Sequence, residues 1–476
     1  MDQPVSWSGP QLPDIAYDGL SETELLALEQ QYCSHGDTVH YVDPPKMFER
    51  CEGSFLYDAE GRTFLDLQMW YSAVNFGYRN ERLNGAVRNQ LDKLPQLASQ
   101  YLHREKIELA SRLARRVENT WGEKGRVHFN VGGSQAVEDA LKLVRNASGG
   151  KSLMFAFEGG YHGRTLGASS ITSSYRYRRR YGHFGERAHF VPYPYCFRCP
   201  YGKKREDCDL YCVDQFARLF DSEYHAVWDA KAGEAEFAAF FVEAIQGTGG
   251  YIVPPAGYFE KLGKILEARK ILLVDDEIQM GFYRAGKFWA LENFNVKPDI
   301  VVFGKALTNG LNPLAGIWAR EELIAPEVFP PGSTHSTFNS NPMGTAVALE
   351  TVKMLEEGDY EAMTLAKGQY LLDGLRELKK RYPIVGDVDG LGMALRMEIC
   401  EPSDSYTPSR RIVDRMVDEG LIGNLEVNGK QYGLVLDIGG YYKNVITLAP
   451  NLHISKEEMD LALALLDRLL HRVSKG

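Results

Sequence analysis

At 476 residues the chain is too long for one ordinary domain and long enough for a large core plus a smaller one. Its 44% hydrophobic and 25% charged residues are those of an ordinary soluble globular protein. A net charge of -10 argues against a general affinity for nucleic acid or an anionic membrane surface. No apolar run approaches a membrane span, and the start Met1-Asp2-Gln3-Pro4 lacks the basic region and apolar core of a signal peptide, so a cytoplasmic location is expected.

Residues 1 to about 20 hold Pro4, Pro10 and Pro13 and read as irregular. Ser21, followed three residues later by Glu24, is a capping box that opens a helix through about Tyr32. From Gly53 to Asp66 two strands are expected about a turn at 58–61, and the large aromatics Trp70 and Tyr71 follow. Helical spacing over 79–93 and 104–120 leads to a strand at 126–129. Next come Gly132-Gly133-Ser134 and a helix with Ala136, Val137, Ala140, Leu141 and Val144 on one face. Glycines at such a turn let backbone approach a ligand, and the helix N-terminus offers unpaired N–H groups to a phosphate. Apolar runs at 152–157, 237–243, 271–274, 299–303 and 314–319 read as buried sheet strands, mainly parallel. Past residue 343 a long helical stretch precedes a strand at 392–399, a helix at 408–419 and a strand at 445–448. A second capping box, Ser455 with Glu458, opens a last amphipathic helix with Met459, Leu463, Leu466, Leu470 and Val473 inward.

Cys33, Cys51 and Cys400 are scattered, whereas Cys196, Cys199, Cys208 and Cys212 cluster. Clustered cysteines in a cytosolic chain read as metal ligands more often than as disulfides. The last pair is spaced by three residues and the loop is short for a zinc ribbon, so local disulfides or free thiols are expected and no metal is assigned. Arg176, Arg178, Arg179 and Arg180 read as a solvated basic face, one member of which could reach a substrate carboxylate.

Two of the strands end in chemistry. Asp276 falls just past the run at 271–274 and Lys305 just past the run at 299–303, at the carboxyl edge where open α/β sheets bind ligands. A lysine amine can form a Schiff base with a carbonyl group, and pyridoxal phosphate is the common partner. That cofactor's pyridinium nitrogen needs a carboxylate, which Asp276 would supply. A helix-capping aspartate and a solvated lysine are the bland alternative for the two residues.

The run Asp276-Glu277-Ile278-Gln279 with Gly281, then Pro298-Asp299-Ile300 and Gly304-Lys305-Ala306-Leu307, closely resembles the core signature of class III pyridoxal-phosphate aminotransferases, the ω-aminotransferase family. The resemblance extends from about Phe55 to the C-terminus. It implies an α/β chain of fold type I: a large domain with a mainly parallel, seven-stranded type of sheet flanked by helices, plus a small α+β domain built from both chain ends. The corresponding ranges are 1–75 and 346–476 for the small domain and 76–345 for the cofactor domain, with the cysteine insertion near 196–212.

For the site, the resemblance implies pyridoxal 5'-phosphate as cofactor, with Lys305 and Asp276 catalytic. Gly133 and Ser134 would hold the phosphate, Tyr161 would stack on the ring with His162 nearby, and Glu243 would belong to the same site. Gln279 would reach the ring hydroxyl region, and Thr337 would bind the phosphate in the partner subunit of a homodimer. Trp70, Tyr71, Arg164, Thr248 and Thr447 would shape the substrate pocket. The chain departs from the family pattern at Gly132 (serine), Gln135 (glutamate) and Ala244 (proline). Thr447 stands where many members have a carboxylate-gripping arginine, and Thr248 where dual-specificity members add the glutamate that covers it. Losing both leaves neither charge unpaired, and implies a less charged pocket. The implied reaction moves an amino group from a primary amine, diamine or ω-amino acid to a small 2-oxo acid. An amino-acid racemase or epimerase of the same family is the alternative.

Overall fold

The structure, a computed structural model, describes residues 18–36, 40–178, 181 and 188–475. Its centre is a seven-stranded sheet in the order Gly125–Asn130, Ala315–Arg320, Ile300–Phe303, Leu272–Asp276, Phe237–Val242, Leu153–Phe157, Ala188–Val191. Neighbours run parallel except at Ala315–Arg320, which is antiparallel to both strands beside it. The central strands Phe237–Val242 and Ile300–Phe303 are buried on both faces, as their unbroken apolar sequences require. On one face, Gly133–Ala147 packs Ala136, Val137, Ala140, Leu141 and Val144 against Val274, Ile300, Val302 and Ile317. On the other, an aromatic layer forms around Phe155, Phe240 and Phe259.

The two chain ends share a second sheet, in which Thr63–Asp66 pairs in parallel with Lys430–Val435. Gly433 makes this possible, because a Cβ there would lie 1.9 Å from the Phe64 ring. A third, antiparallel sheet holds Val385–Leu391, Ala394–Ile399, Val445–Leu448 and Asp437–Gly439. Both capping boxes form: Ser21 opens Glu22–Tyr32, and Ser455 opens Lys456–Ser474. In the last helix Leu465 and Leu469 join the buried face, while Leu463 is only half-buried. Among the described residues, no helix is long and apolar enough to cross a membrane.

Segment Met69–Ser72 was not legible as what it is. All four residues have positive φ (45°, 50°, 56° and 65°), which makes a left-handed turn built without glycine. Such backbone costs roughly 1–2 kcal/mol per residue. Specific bonds offset that cost. One Asp66 carboxylate oxygen accepts from the N–H groups of Gln68 (2.7 Å) and Met69 (2.9 Å), and the Ser72 hydroxyl accepts from Arg284 Nε at 2.8 Å.

Candidate active site

The carboxyl ends of the parallel strands deliver the site residues to one edge. Asp276 closes Leu272–Asp276, Lys305 follows Ile300–Phe303 after Gly304, Glu243 follows Phe237–Val242, and Tyr161 with His162 lies beyond Leu153–Phe157. Alternation along the strand points Asp276 to the site and turns Asp275 and Glu277 the other way, where Glu277 accepts from the Leu291 N–H at 2.9 Å.

His162 and Asp276 are both buried and joined Nδ1 to Oδ2 at 2.8 Å. Burial alone would push the imidazole down, but the hydrogen bond and charge of Asp276 outweigh it, so His162 titrates above its ordinary value. Glu243 accepts the Tyr161 N–H at 2.9 Å and the Gly247 N–H at 2.8 Å, fixing the loop that carries Tyr161. Burial pushes its carboxyl up to about 7 against the pull of His162, with Asp276 adding to the rise. Lys305 adopts a left-handed backbone (φ 43°), a strained conformation of the kind that clusters at functional sites. Burial pushes its amine below the usual lysine range, although Asp276 and Glu243 oppose the shift.

A cavity of about 370 Å³ opens over this edge. Tyr71, Tyr161, Arg164, Thr248, Gln279 and Lys305 line it, as the pocket assignments anticipate. Gln279 Nε2 donates to the Tyr251 hydroxyl at 3.0 Å, and the missing side chain of Gly247 leaves room for its amide oxygen. Gly133 starts Gly133–Ala147, whose N-cap Gly132 has no side-chain capping bond, so the first N–H groups of a 15-residue helix lack a side-chain cap. Ser134 Oγ accepts from the Arg164 N–H at 3.2 Å. Gly163 has to be glycine here: its φ is +121°, and a Cβ would lie 2.3 Å from Ser134 Oγ.

Three assigned residues lie elsewhere. Trp70 does not line the cavity; it is 54% exposed and packs over Gly310. Thr447 is buried below the cavity wall and donates to Asp437 Oδ2 at 2.8 Å. Thr337, assigned to the cofactor phosphate of the partner subunit rather than to this cavity, is exposed. The cavity is also more charged than the missing arginine and glutamate imply, because Arg176, Arg410, Lys443, Asp414 and Asp437 line it too. Arg179 and Arg180 lie outside the described residues. The C-terminal contributors carried no local signal, since only tertiary folding brings 410–443 over the sheet edge.

All seven cysteines are free thiols. Cys196, Cys199, Cys208 and Cys212 line one cavity of about 20 Å³, away from Lys305. Burial pushes the Cys212 thiol up to about 11. Among the described residues, no group of three His, Cys, Asp or Glu side chains is placed to hold a metal ion.

A family model described as aminotransferase class-III matches residues 38–470. The chain belongs to the class III aminotransferases. It is 33% identical to an alanine/serine racemase of Pyrococcus horikoshii, over 95% of this chain and 91% of the racemase. It is 30% identical to a 5-aminovalerate aminotransferase of Pseudomonas aeruginosa, over 89% of this chain and 92% of that one. Among solved structures it resembles an amine transaminase from an uncultivated Pseudomonas species in its PLP-bound form, with a TM-score of 0.81 and 27% identity over 92% and 98% of the two chains. This class III aminotransferase is a pyridoxal 5'-phosphate-dependent transaminase of fold type I. The residues present fit the cofactor. A helix N-terminus without a side-chain cap can take the phosphate, a buried acid can take the ring nitrogen, and the Lys305 amine reaches the cavity.

Proposed function

We propose that the enzyme moves an amino group from a primary amine, diamine or ω-amino acid to a small 2-oxo acid such as pyruvate. The observation that supports this most is the Lys305 amine, which faces an open cavity from the same sheet edge that holds the buried Asp276–His162 pair. Bound cofactor supplies an electron sink for the carbon–hydrogen bond broken beside the nitrogen. The protein does the rest. Asp276, oriented by His162, would hold the proton of the ring nitrogen. Lys305 would accept the proton released from the substrate carbon and give it up again later in the transfer. Burial favours the neutral amine, the form that can accept that proton. Tyr161, in a loop anchored through Glu243, would stack on the ring. Gln279 would reach the ring hydroxyl. Gly133, Ser134 and the helix N-terminus would hold the phosphate, completed by Thr337 of a second copy in a homodimer with shared sites in the cytoplasm.

Racemisation is the second reading. It is favoured by the 33% identity to a racemase, and it uses the same residues with the proton returned to the substrate carbon. A screen of amine donors and 2-oxo acid acceptors, following conversion of bound cofactor to its amino form, tests both. Transamination requires that a donor alone converts the cofactor and that an acceptor restores it. Loss of optical rotation of an amino acid with no acceptor present, and without that conversion, would replace this reading with racemisation.

A further inference from the structure

Resting on that reading of the cavity as the substrate site, we infer that Lys443, Arg176 and Arg410 form a carboxylate subsite on the wall away from the sheet. They would bind an acid group at the far end of the substrate from its amino group. All three line the same 370 Å³ cavity as Lys305, yet they come from three separate segments. Lys443 lies in the turn between Asp437–Gly439 and Val445–Leu448, Arg176 in Tyr175–Arg178, and Arg410 at the start of Arg410–Leu421.

This is a built wall rather than a loose surface lysine. Lys443 adopts a left-handed backbone (φ 56°), and the turn is tied down on either side of it. The Tyr441 hydroxyl donates to the Glu158 carbonyl at 2.6 Å, and Asn444 Nδ2 donates to the Ile399 carbonyl at 2.8 Å. Lys443 is thereby held where burial, and then Arg176 and Arg410, disfavour its charge. Like charges gathered in a cleft are costly unless an anion offsets them.

The two acids of the cavity do not fill that role. Asp437 is committed to Thr447 (2.8 Å), Tyr41 (3.1 Å) and Gln68 (3.3 Å), although it lies close enough to temper Lys443. Asp414 receives Arg410 Nε at 3.2 Å, one partner for one arginine. Arg410 also stands in the first turn of its helix, where the dipole makes a cation unfavourable and an anion favourable. Thr447 itself does not line the cavity, and these three segments supply its cations. A substrate whose carboxylate reaches them is selected over the same amine without one.

The test uses the holoenzyme and its Lys443→Met, Lys443→Arg and Arg410→Met variants. Calorimetry with pentanoate, a carboxylate that has no amine to react, reads the subsite alone. Lys443→Met should weaken binding by roughly tenfold or more, the loss expected for a hydrogen bond to a charged group. Lys443→Arg should recover most of it, and Arg410→Met should shift it in the same direction as Lys443→Met if Lys443→Met does not fold. In turnover, the ratio of kcat/KM for 5-aminopentanoate to that for pentylamine should fall by a similar factor in Lys443→Met, through KM. Wild-type pentanoate affinity in folded Lys443→Met and Arg410→Met, or an unchanged donor ratio, overturns the subsite. If neither amine donates to any 2-oxo acid, the transamination reading fails while the pentanoate result still decides the subsite.

Discussion

His162 Nδ1 and Asp276 Oδ2 meet at 2.8 Å in a part of the site closed to solvent. The imidazole fixes which way the carboxylate faces, and the carboxylate's charge keeps the imidazole protonated to higher pH than usual. Asp276→Asn preserves the shape and removes the charge on which both effects depend. Turnover should fall on the order of 10²-fold or more, the usual cost of removing one preorganised electrostatic group. Cofactor content, measured after denaturation, should change much less. Wild-type turnover in this variant would mean that another acid serves the ring nitrogen. Asp275 is a poor substitute, because it points to the opposite face of the sheet.

Thr447 and Asp437 are register partners on adjacent strands as well as hydrogen-bonded. An arginine placed at 447 would therefore pair with Asp437 instead of standing free for a substrate carboxylate. Thr447→Arg alone should leave the preference between pyruvate and 2-oxoglutarate near the wild-type value. Thr447→Arg with Asp437→Asn should raise relative use of 2-oxoglutarate several-fold, as read from kcat/KM for the two acceptors.

Arg284 ties distant parts of the chain together. Its fully buried guanidinium donates to Ser72 Oγ (2.8 Å), the Met393 carbonyl (3.0 Å), the Pro450 carbonyl (2.6 Å) and the Asn75 side chain. Among the described residues no carboxylate pairs with it, and burial lowers its pKa to about 10. Arg284→Met would leave those acceptors buried and unmet, at about 1–3 kcal/mol each. It should cost about 4 kcal/mol or more of stability and loosen the left-handed turn at Met69–Ser72 that brings Tyr71 into the cavity. Denaturant unfolding and protease sensitivity near residue 70 check this.

How much of this was legible beforehand varied with the kind of signal. Both serine capping boxes, the apolar strands and the Asp276 and Lys305 positions were plain, because each is a local pattern with one physical meaning. The hairpin joining Leu425–Val427 to Lys430–Val435 had a signal that could have been used, Asn428-Gly429, and both residues have positive φ. Strand Val385–Leu391 carries Gly386 and Gly390 and alternating acids, so it lacks the apolar run of its neighbour. The turn at Met69–Ser72 had no local signal, since aromatics and methionine do not announce positive φ. The cationic cavity wall joins Arg176 to Arg410 and Lys443, more than 200 positions later, and is a property of the fold.

Asp275 and Glu277 form a buried acid pair on the face away from the site. Burial, and then each other's charge for Asp275, pushes both carboxyls up. Among the described residues neither Asp275 oxygen has a hydrogen-bond donor when both acids are ionised, and a shared proton supplies one. An acid that keeps its proton longer when folded makes folding less favourable as pH rises beyond the ordinary carboxylate range. Asp275→Asn removes the repulsion, so thermal unfolding should show a larger gain over wild type at pH 8 than at pH 5.5. An equal effect at both values would show that the two acids do not share a proton.

The central claim is that Lys305 is the amine joined to the cofactor. Borohydride reduction of the holoenzyme fixes the cofactor covalently to whichever lysine holds it, and proteolysis with mass spectrometry locates the modified peptide. The account predicts the phosphopyridoxyl mass on the peptide containing Gly304-Lys305-Ala306, and no such label in Lys305→Ala. Label on a different lysine, or an equally labelled Lys305→Ala protein, would contradict it.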